Sequence, residues 1–282
     1  MLKNKTIRYL NDHCHALTGK TVVVTGANSG IGFKATEELL FLGAKVIMAC
    51  RNAARAEAAR ERLLKDYPAA DIEVRLLDVA SRDSIAAFAA SLVADGVDVD
   101  AVVNNAGIFH IHGTTDEGED IVMGTNYTGT RRLAETLLPW LQGLGHAVTM
   151  TFTTSISVRI GVTDDTADIA AMGDLRRYAT SKRRLTRYAL ALADAEQGSG
   201  SAVRVVLTHP GIAITAIGYK AFGERFMRVM SPLGRLLFQS PEKSALSIPL
   251  VLTNDVAPGS IYGPKGFMHG WGYPSAHRLR VM

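Results

Sequence analysis

The stretch TGANSGIG at residues 25–32 decides the fold class of this sequence. It follows TVVVT (21–25), an apolar run of β-branched residues that predicts a buried strand, and it precedes a helical pattern that Gly43 ends. Gly26 allows a tight turn out of the strand, and Gly30 and Gly32 let the backbone approach a pyrophosphate at the helix N-terminus. A glycine-rich turn in this context predicts a dinucleotide site. The site includes the neighbouring residues Asn28, Ser29 and Ile31.

Short apolar strands alternate with helices along the rest of the chain. The pattern predicts strands over 44–50, 72–78, 99–107, 146–154 and 202–211, and helices over 53–66, 81–94, 118–142 and 175–197. Such alternation is typical of βαβ units. We therefore predict an α/β fold: a single domain over 1–282, with a Rossmann-type doubly wound parallel sheet and helices on both faces.

Composition excludes several classes of protein. The 282 residues are 47% hydrophobic, which is ample for a core, and the net charge of +4 is too small to indicate a nucleic-acid partner. Two cysteines exclude a dense disulfide framework and fit a reducing cytoplasm. No apolar run approaches the ~18 residues that span a bilayer, and the polar N-terminus does not resemble a signal peptide. We expect a cytoplasmic protein without a transmembrane segment.

Two histidine pairs raise the question of a functional role. His13, Cys14 and His15 are adjacent, so their side chains point in different directions, and the sequence offers no second ligand cluster. No metal site is predicted. His110 and His112 follow NNAG (104–107), where contact with substrate and a surface or structural role both remain open.

The catalytic candidates begin with Tyr178 and Lys182 in the motif YATSK. Four residues apart on a predicted helix, they share one face. A neighbouring ammonium favours the phenolate and lowers the tyrosine pKa, so the pair can exchange a proton with a carbonyl or hydroxyl oxygen. Ser155, just past a predicted strand, can hydrogen-bond the same oxygen, or it is merely a turn residue. Asn126, unfavourable within a helix, suggests a buried polar role such as holding a water beside Lys182.

Together these motifs resemble the short-chain dehydrogenase/reductase family over nearly the whole chain. The matching features are TGANSGIG, Asp78 after the third strand, NNAG, Asn126, Ser155, YATSK, and HPG (209–211) with Thr215. The resemblance implies a proton relay in which Tyr178 is the general acid/base, Ser155 orients substrate, Lys182 lowers the tyrosine pKa and binds the nicotinamide ribose, and Asn126 keeps a water. It also implies cofactor contacts by Asp78, Val79, Asn105, Ala106, Gly107, Pro210, Gly211 and Thr215.

The 23 residues from Ser155 to Tyr178 exceed the usual spacing in that family by about ten. The extra segment, RIGVTDDTADIAAMGDLRR (159–177), resembles the insertion of the retinol-dehydrogenase and protochlorophyllide-reductase-like branch. Family members commonly pair through two long helices. Here the second of these, 175–197, is rich in arginine, so both a homodimer and a monomer remain open.

Residues 212–240 mix Phe, Met and Leu with arginines and follow the predicted cofactor cleft. Pro232 and Gly234 disfavour a continuous membrane-surface helix. Ordinary packing is the other alternative. We predict a substrate lid, which suggests a bulky, mainly apolar substrate.

Arg51 follows the second predicted strand, where the resembling family places an acid that binds the ribose of NAD. A 2′-phosphate needs a cation instead, and the guanidinium of Arg51 suits it. Asn52 offers a neutral donor and Arg55 a second charge, so we predict NADP(H) as cofactor.

The leading functional prediction is an NADPH-dependent oxidoreductase acting on a carbonyl or hydroxyl group. Reduction of a conjugated C=C bond or a quinone is an alternative, because the same branch includes such enzymes. A non-catalytic NADP(H)-sensing protein is a remote alternative, which the intact Asn126, Ser155, Tyr178 and Lys182 disfavour.

Overall fold

A parallel β-sheet forms the centre of the protein. A computed structural model describes residues 1–164, 166–211, 239–266 and 270–277. Thr215 and nearly all of the predicted lid at 212–240 lie outside these residues. The described strands are β1 (Thr21–Thr25), β2 (Lys45–Cys50), β3 (Ile72–Leu76), β4 (Ala101–Asn104), β5 (Val148–Thr153), β6 (Val203–Thr208), β7 (Ile261–Pro264) and β8 (Pro274–His277).

The helices alternate with these strands. They are α1 (Asn4–His13), α2 (Gly30–Phe41), α3 (Ala53–Asp66), α4 (Arg82–Ala94), α5 (Ile121–Met123), α6 (Thr130–Gln142), α7 (Asp174–Ser199), α8 (Pro241–Ala245) and α9 (Ser247–Thr253). A π-helical turn, Gly124–Gly129, joins α5 to α6, and a 3₁₀ helix, Ile156–Ile160, follows β5. Within the described ranges, no helix combines the length and the apolar character needed to cross a membrane.

The strand order is β3-β2-β1-β4-β5-β6-β7-β8, and only the β7–β8 pairing is antiparallel. The chain therefore reverses direction across the sheet between β1 and β4. In a doubly wound sheet, the crevice at the carboxyl ends of the strands beside this reversal is where ligands bind. The predicted dinucleotide turn follows β1, so it lies at that crevice.

Alternate side chains of the strands enter two separate cores. On one face, Val23 and Ile47 join the core that α4, α6 and α7 cover. On the other face, Val22 and Val46 pack with α1, α2 and α3. Helices on both faces confirm the predicted doubly wound architecture.

Local signals explain where several elements begin and end. The side chains of Asn52 and Ser81 cap α3 and α4 by accepting hydrogen bonds from the backbone N–H groups of Arg55 (2.9 Å) and Ser84 (3.3 Å). By contrast, β4 ends at Asn104 rather than at 107, because the chain leaves the sheet at Asn105. The helix predicted over 118–142 begins at Ile121 and contains the π-helical turn.

The segment inserted between Ser155 and Tyr178 is held against α7 by arginines. Arg183 donates to the carbonyl oxygens of Val158 (3.2 Å) and Gly161 (3.3 Å). Arg184 and Arg187, further along α7, donate to the carbonyls at 164 (3.1 Å) and 163 (3.2 Å). The dense positive charge noted in the sequence is thus used within the chain.

Candidate active site

The glycine-rich turn forms the floor of a cleft at the carboxyl end of β1. Gly30 has a φ of +57°, a conformation that residues with a side chain rarely adopt, and a Cβ there would project into open space. At Gly32, a Cβ would overlap the carbonyl oxygen of Gly26 and the amide of Asn105. The glycines thus leave the backbone without side chains at the N-terminus of α2, where free N–H groups and the helix dipole favour an anion.

Thr25 ties this turn to the segment after β4. Its Oγ1 accepts hydrogen bonds from the backbone N–H groups of Asn105 (3.0 Å) and Ala106 (2.9 Å), and the Asn105 side chain donates to the Thr25 carbonyl (2.9 Å). These bonds pull NNAG out of the sheet and over the glycine turn. Sequence reasoning missed Thr25, because a threonine at the end of a strand carries no distinct signal.

Two guanidinium groups stand at the outer end of the cleft. Arg51 is exposed, and its Nε lies 3.9 Å from Oδ2 of Asp78. Arg55, in the first turn of α3, also lines the cleft. Asn52 also lines the cleft. Its Oδ1 caps α3 by accepting the hydrogen bond from the Arg55 N–H. Positive charge is therefore concentrated where the sequence predicts the 2′-phosphate.

Tyr178 and Lys182 face the inner end of the same cleft from α7. The Lys182 ammonium is buried and donates to the carbonyl oxygen of Thr153 (2.8 Å). The Tyr178 hydroxyl is hydrogen-bonded to Ser155. Ser155 itself accepts from the N–H (3.2 Å) and hydroxyl (2.9 Å) of Ser157, which leaves its own proton for Tyr178. The structure thus brings three of the four predicted catalytic residues together.

Burial determines the protonation of this group. It raises the pKa of Tyr178 to about 12, although the hydrogen bond from Ser155 opposes the shift. It lowers the pKa of Lys182 to about 8, because a buried ammonium loses hydration. The pKa of Tyr178 is thus raised and not lowered as expected from a neighbouring ammonium, because burial is the largest influence on it. At neutral pH the phenol is therefore protonated, and the lysine is still mostly charged.

Asn126 lies in the π-helical turn and is fully buried. Its Oδ1 accepts from the N–H of Ile108 (2.7 Å), and its Nδ2 donates to the Ile108 carbonyl (2.9 Å) and to Ser181 Oγ (3.0 Å). The side chain fastens the segment after β4 to α7 beside Lys182. The water-holding role remains a prediction, and this bonding explains why asparagine occurs within the helix.

The cleft has a volume of about 370 Å³. Most of the predicted site residues line it: Gly26, Asn28, Ser29, Gly30, Ile31, Gly32, Arg51, Asn52, Asp78, Val79, Asn105, Ala106, Gly107, Tyr178, Lys182 and Pro210. Ser155 and Asn126 lie behind this lining. Gly211 also lies outside it and donates its N–H to Nδ1 of the buried His209 (3.1 Å). Thr215 is outside the described residues.

Apolar residues that sequence reasoning missed form a wall near Tyr178. Ile108, Phe109 and Ile111 line the cleft. The Phe109 ring meets the Tyr178 ring edge to face, with centroids 5.3 Å apart. Their position directly after NNAG was the available signal.

Comparison with known proteins places this site among relatives. The family model described as short chain dehydrogenase matches residues 20–224. Retinol dehydrogenase 13 of Homo sapiens is 32% identical over 235 residues, covering 81% of this chain and 70% of that protein. Dehydrogenase/reductase SDR family member 13 of Bos taurus is 32% identical over 234 residues, 82% of this chain and 61% of that protein. These relatives confirm the resemblance drawn from the motifs.

A solved structure confirms the fold. L-sorbose reductase from Gluconobacter frateurii, complexed with NADPH and L-sorbose, superposes with a TM-score of 0.69 at 21% sequence identity. The superposition covers 87% of this chain and 95% of that chain.

Proposed function

We propose that this chain, which belongs to the short-chain dehydrogenase family, is an NADP(H)-dependent oxidoreductase acting on a carbonyl or hydroxyl group of a bulky, mainly hydrophobic small molecule. One observation carries the proposal. Tyr178 and Lys182 face the same cleft as the bare glycine turn and the guanidinium group of Arg51. A cofactor and a substrate bound together in this cleft would therefore meet a proton donor, a buried positive charge and an anion-binding turn.

The residues of the cleft fit a phosphorylated dinucleotide. Gly30 leaves open space that a side chain would fill, and the N-terminus of α2 favours a pyrophosphate. Arg51 and Arg55 supply the cations that a 2′-phosphate needs. NADPH bound in the related fold of L-sorbose reductase supports the same choice. When bound, this cofactor supplies or accepts the hydride.

The protein's own groups handle the proton. Because burial raises the pKa of Tyr178 to about 12, its hydroxyl carries a proton at neutral pH and can donate it to a carbonyl oxygen. The role we assign to Ser155, which is hydrogen-bonded to Tyr178, is to orient that oxygen. The charge of Lys182, held in place by the Thr153 carbonyl, stabilises the phenolate left behind. In the oxidative direction the same groups act in reverse.

The substrate class rests on two independent supports. Ile108, Phe109 and Ile111 line the same cleft as Tyr178, and the Phe109 ring contacts the Tyr178 ring. One relative is named for retinol, which is a bulky apolar alcohol. Both favour a hydrophobic substrate without identifying it.

Replacement of Tyr178 by phenylalanine tests the proposal. The variant should lose turnover of aromatic, terpenoid or steroid ketones and aldehydes while keeping its affinity for NADPH, since only one hydroxyl is removed. Tyr188→Phe is the matched control on the same helix, because the Tyr188 hydroxyl has no hydrogen-bond partner among the described residues. Full turnover by Tyr178→Phe would refute the mechanism.

The position of the label transferred from deuterated NADPH identifies the reaction. Deuterium on the carbinol carbon of the product is expected. Deuterium at a former C=C carbon would instead assign the enzyme to double-bond reduction.

A further inference from the structure

A second cluster of functional side chains lies outside the cleft lining, at the rim beside Tyr178. His110 and His112 extend from the segment after β4, and Asp174 begins α7, four residues before Tyr178. Nδ1 of His110 contacts Oδ2 of Asp174, and Nε2 of His112 lies 3.6 Å from the other carboxylate oxygen. One ligand atom from each of the three residues can be chosen so that all lie within 4.8 Å of one another.

The chemistry of this cluster suits a transition-metal ion. Two imidazoles and one carboxylate are a ligand set that Zn²⁺ accepts, with a fourth position left for water. Nitrogen ligands favour Zn²⁺ or Ni²⁺ over Mg²⁺ and Ca²⁺, which prefer oxygen. Both imidazoles are at least half exposed, so their side chains have room to rotate toward an ion.

Arg177 is the charge that opposes a cation here. Its Nη1 lies 3.8 Å from Oδ1 of Asp174 and 3.4 Å from Nδ1 of His112. The same guanidinium also pairs with Oδ2 of Asp120 at 3.5 Å. Two carboxylates therefore face one guanidinium, and with neutral imidazoles the group has a net negative charge. The contact between Arg177 and Nδ1 of His112 is long and therefore weak, so little stabilisation is lost if His112 turns to bind a metal through Nε2.

The backbone supports the arrangement. His110 has a φ of +53° and is the only non-glycine residue in the described ranges with a positive φ. Such a conformation is strained for a residue with a side chain and persists where the surroundings fix it. It turns the His110 side chain toward α7, so that residues 64 positions apart in sequence meet.

We propose that His110, His112 and Asp174 bind a divalent transition-metal ion of the Zn²⁺ class at the rim of the catalytic cleft. The ion would join the segment after β4 to the N-terminal turn of α7. This site could not be predicted from the sequence, because nothing there links Asp174 to the His-x-His pair. This proposal concerns binding and does not depend on the proposed reaction.

Calorimetric titration of the purified protein with Zn²⁺, and separately with Mg²⁺, tests the site. Saturable binding of one Zn²⁺ and none of Mg²⁺ are expected. His112→Ala, Asp174→Asn and His110→Asn should each weaken Zn²⁺ binding at least as much as the roughly 10–100-fold that loss of an outer-shell partner costs. Asparagine is chosen at 110 because it tolerates the left-handed backbone.

Two controls make the result specific. His146→Ala removes a half-buried histidine that pairs with Asp98 and takes no part in the proposed site, and it should leave the affinity unchanged. His15→Ala tests the His13–Cys14–His15 run as a rival site. Circular dichroism confirms that each variant is folded. An absence of saturable Zn²⁺ binding, or equal affinity in all the variants, would overturn the proposal.

Discussion

Replacing Arg51 with alanine should weaken the binding of NADPH while leaving that of NADH nearly unchanged. A charge-assisted hydrogen bond to a phosphate contributes about 1.5–3 kcal/mol. Arg51 is 61% exposed, so solvent screening places the loss near the lower bound. Its pairing with Asp78 at 3.9 Å is an exposed contact worth under ~1 kcal/mol, so turning to a phosphate costs little. We therefore expect a roughly tenfold increase in Kd for NADPH.

Fluorescence titration of the purified protein with each cofactor measures the effect. Arg51→Ala combined with Arg55→Ala should approach a hundredfold, because the second guanidinium also lines the cleft. The loss for the single variant should shrink as salt is added, since screening already weakens the wild-type contact. Arg8→Ala removes one exposed positive charge from α1, away from the cleft, and is the matched control. Equal losses for NADPH and NADH, or none for either, would refute the assignment.

Two further predictions concern ionisable groups that are buried. Since burial lowers the pKa of Lys182 to about 8, its charge is present below that pH and lost above it, so the rate of carbonyl reduction should fall above pH 8. Lys182→Arg should move this decline to higher pH, and an unmoved decline would assign it to another group. Burial also raises the pKa of Glu38 well above its ordinary value, so this carboxyl costs stability as pH rises from about 4.5 toward its folded-state pKa. Glu38→Gln should raise Tm at pH 8 and much less at pH 5, whereas a gain independent of pH would contradict this reasoning.

Local signals allowed much of the fold to be predicted from the sequence. The β-branched run of β1 and the caps Asn52 and Ser81 act over a few residues, so the bounds of β1, α3 and α4 agree closely with the structure. The end of β4 depends instead on hydrogen bonds that Asn105 donates to Thr25, 80 residues away. The π-helical turn around Asn126 likewise depends on contacts with Ile108 and Ser181. Neither the end of β4 nor the π-helical turn is therefore marked by a pattern in the neighbouring sequence.

In the candidate site too, local motifs could be recognised in the sequence, whereas features that depend on the tertiary structure could not. Glycine spacing, YATSK and Arg51 identified most of the cleft, because each places its chemistry within one turn of chain. The protonation of Tyr178 could not be predicted, since it depends on how much protein surrounds the hydroxyl. The meeting of His110 and His112 with Asp174 needed the three-dimensional path of two segments.

For protein engineering, the inserted segment and α7 form one unit that has to be transplanted together. Arg183, Arg184 and Arg187 lie within one helical turn of each other, where like charges repel. Backbone carbonyls of the insertion, at positions 158–164, receive their hydrogen bonds and offset that repulsion. A chimaera that shortens this loop must therefore also replace the arginines. Conversely, the loop grafted onto a helix without them would lose the donors that hold its backbone in place.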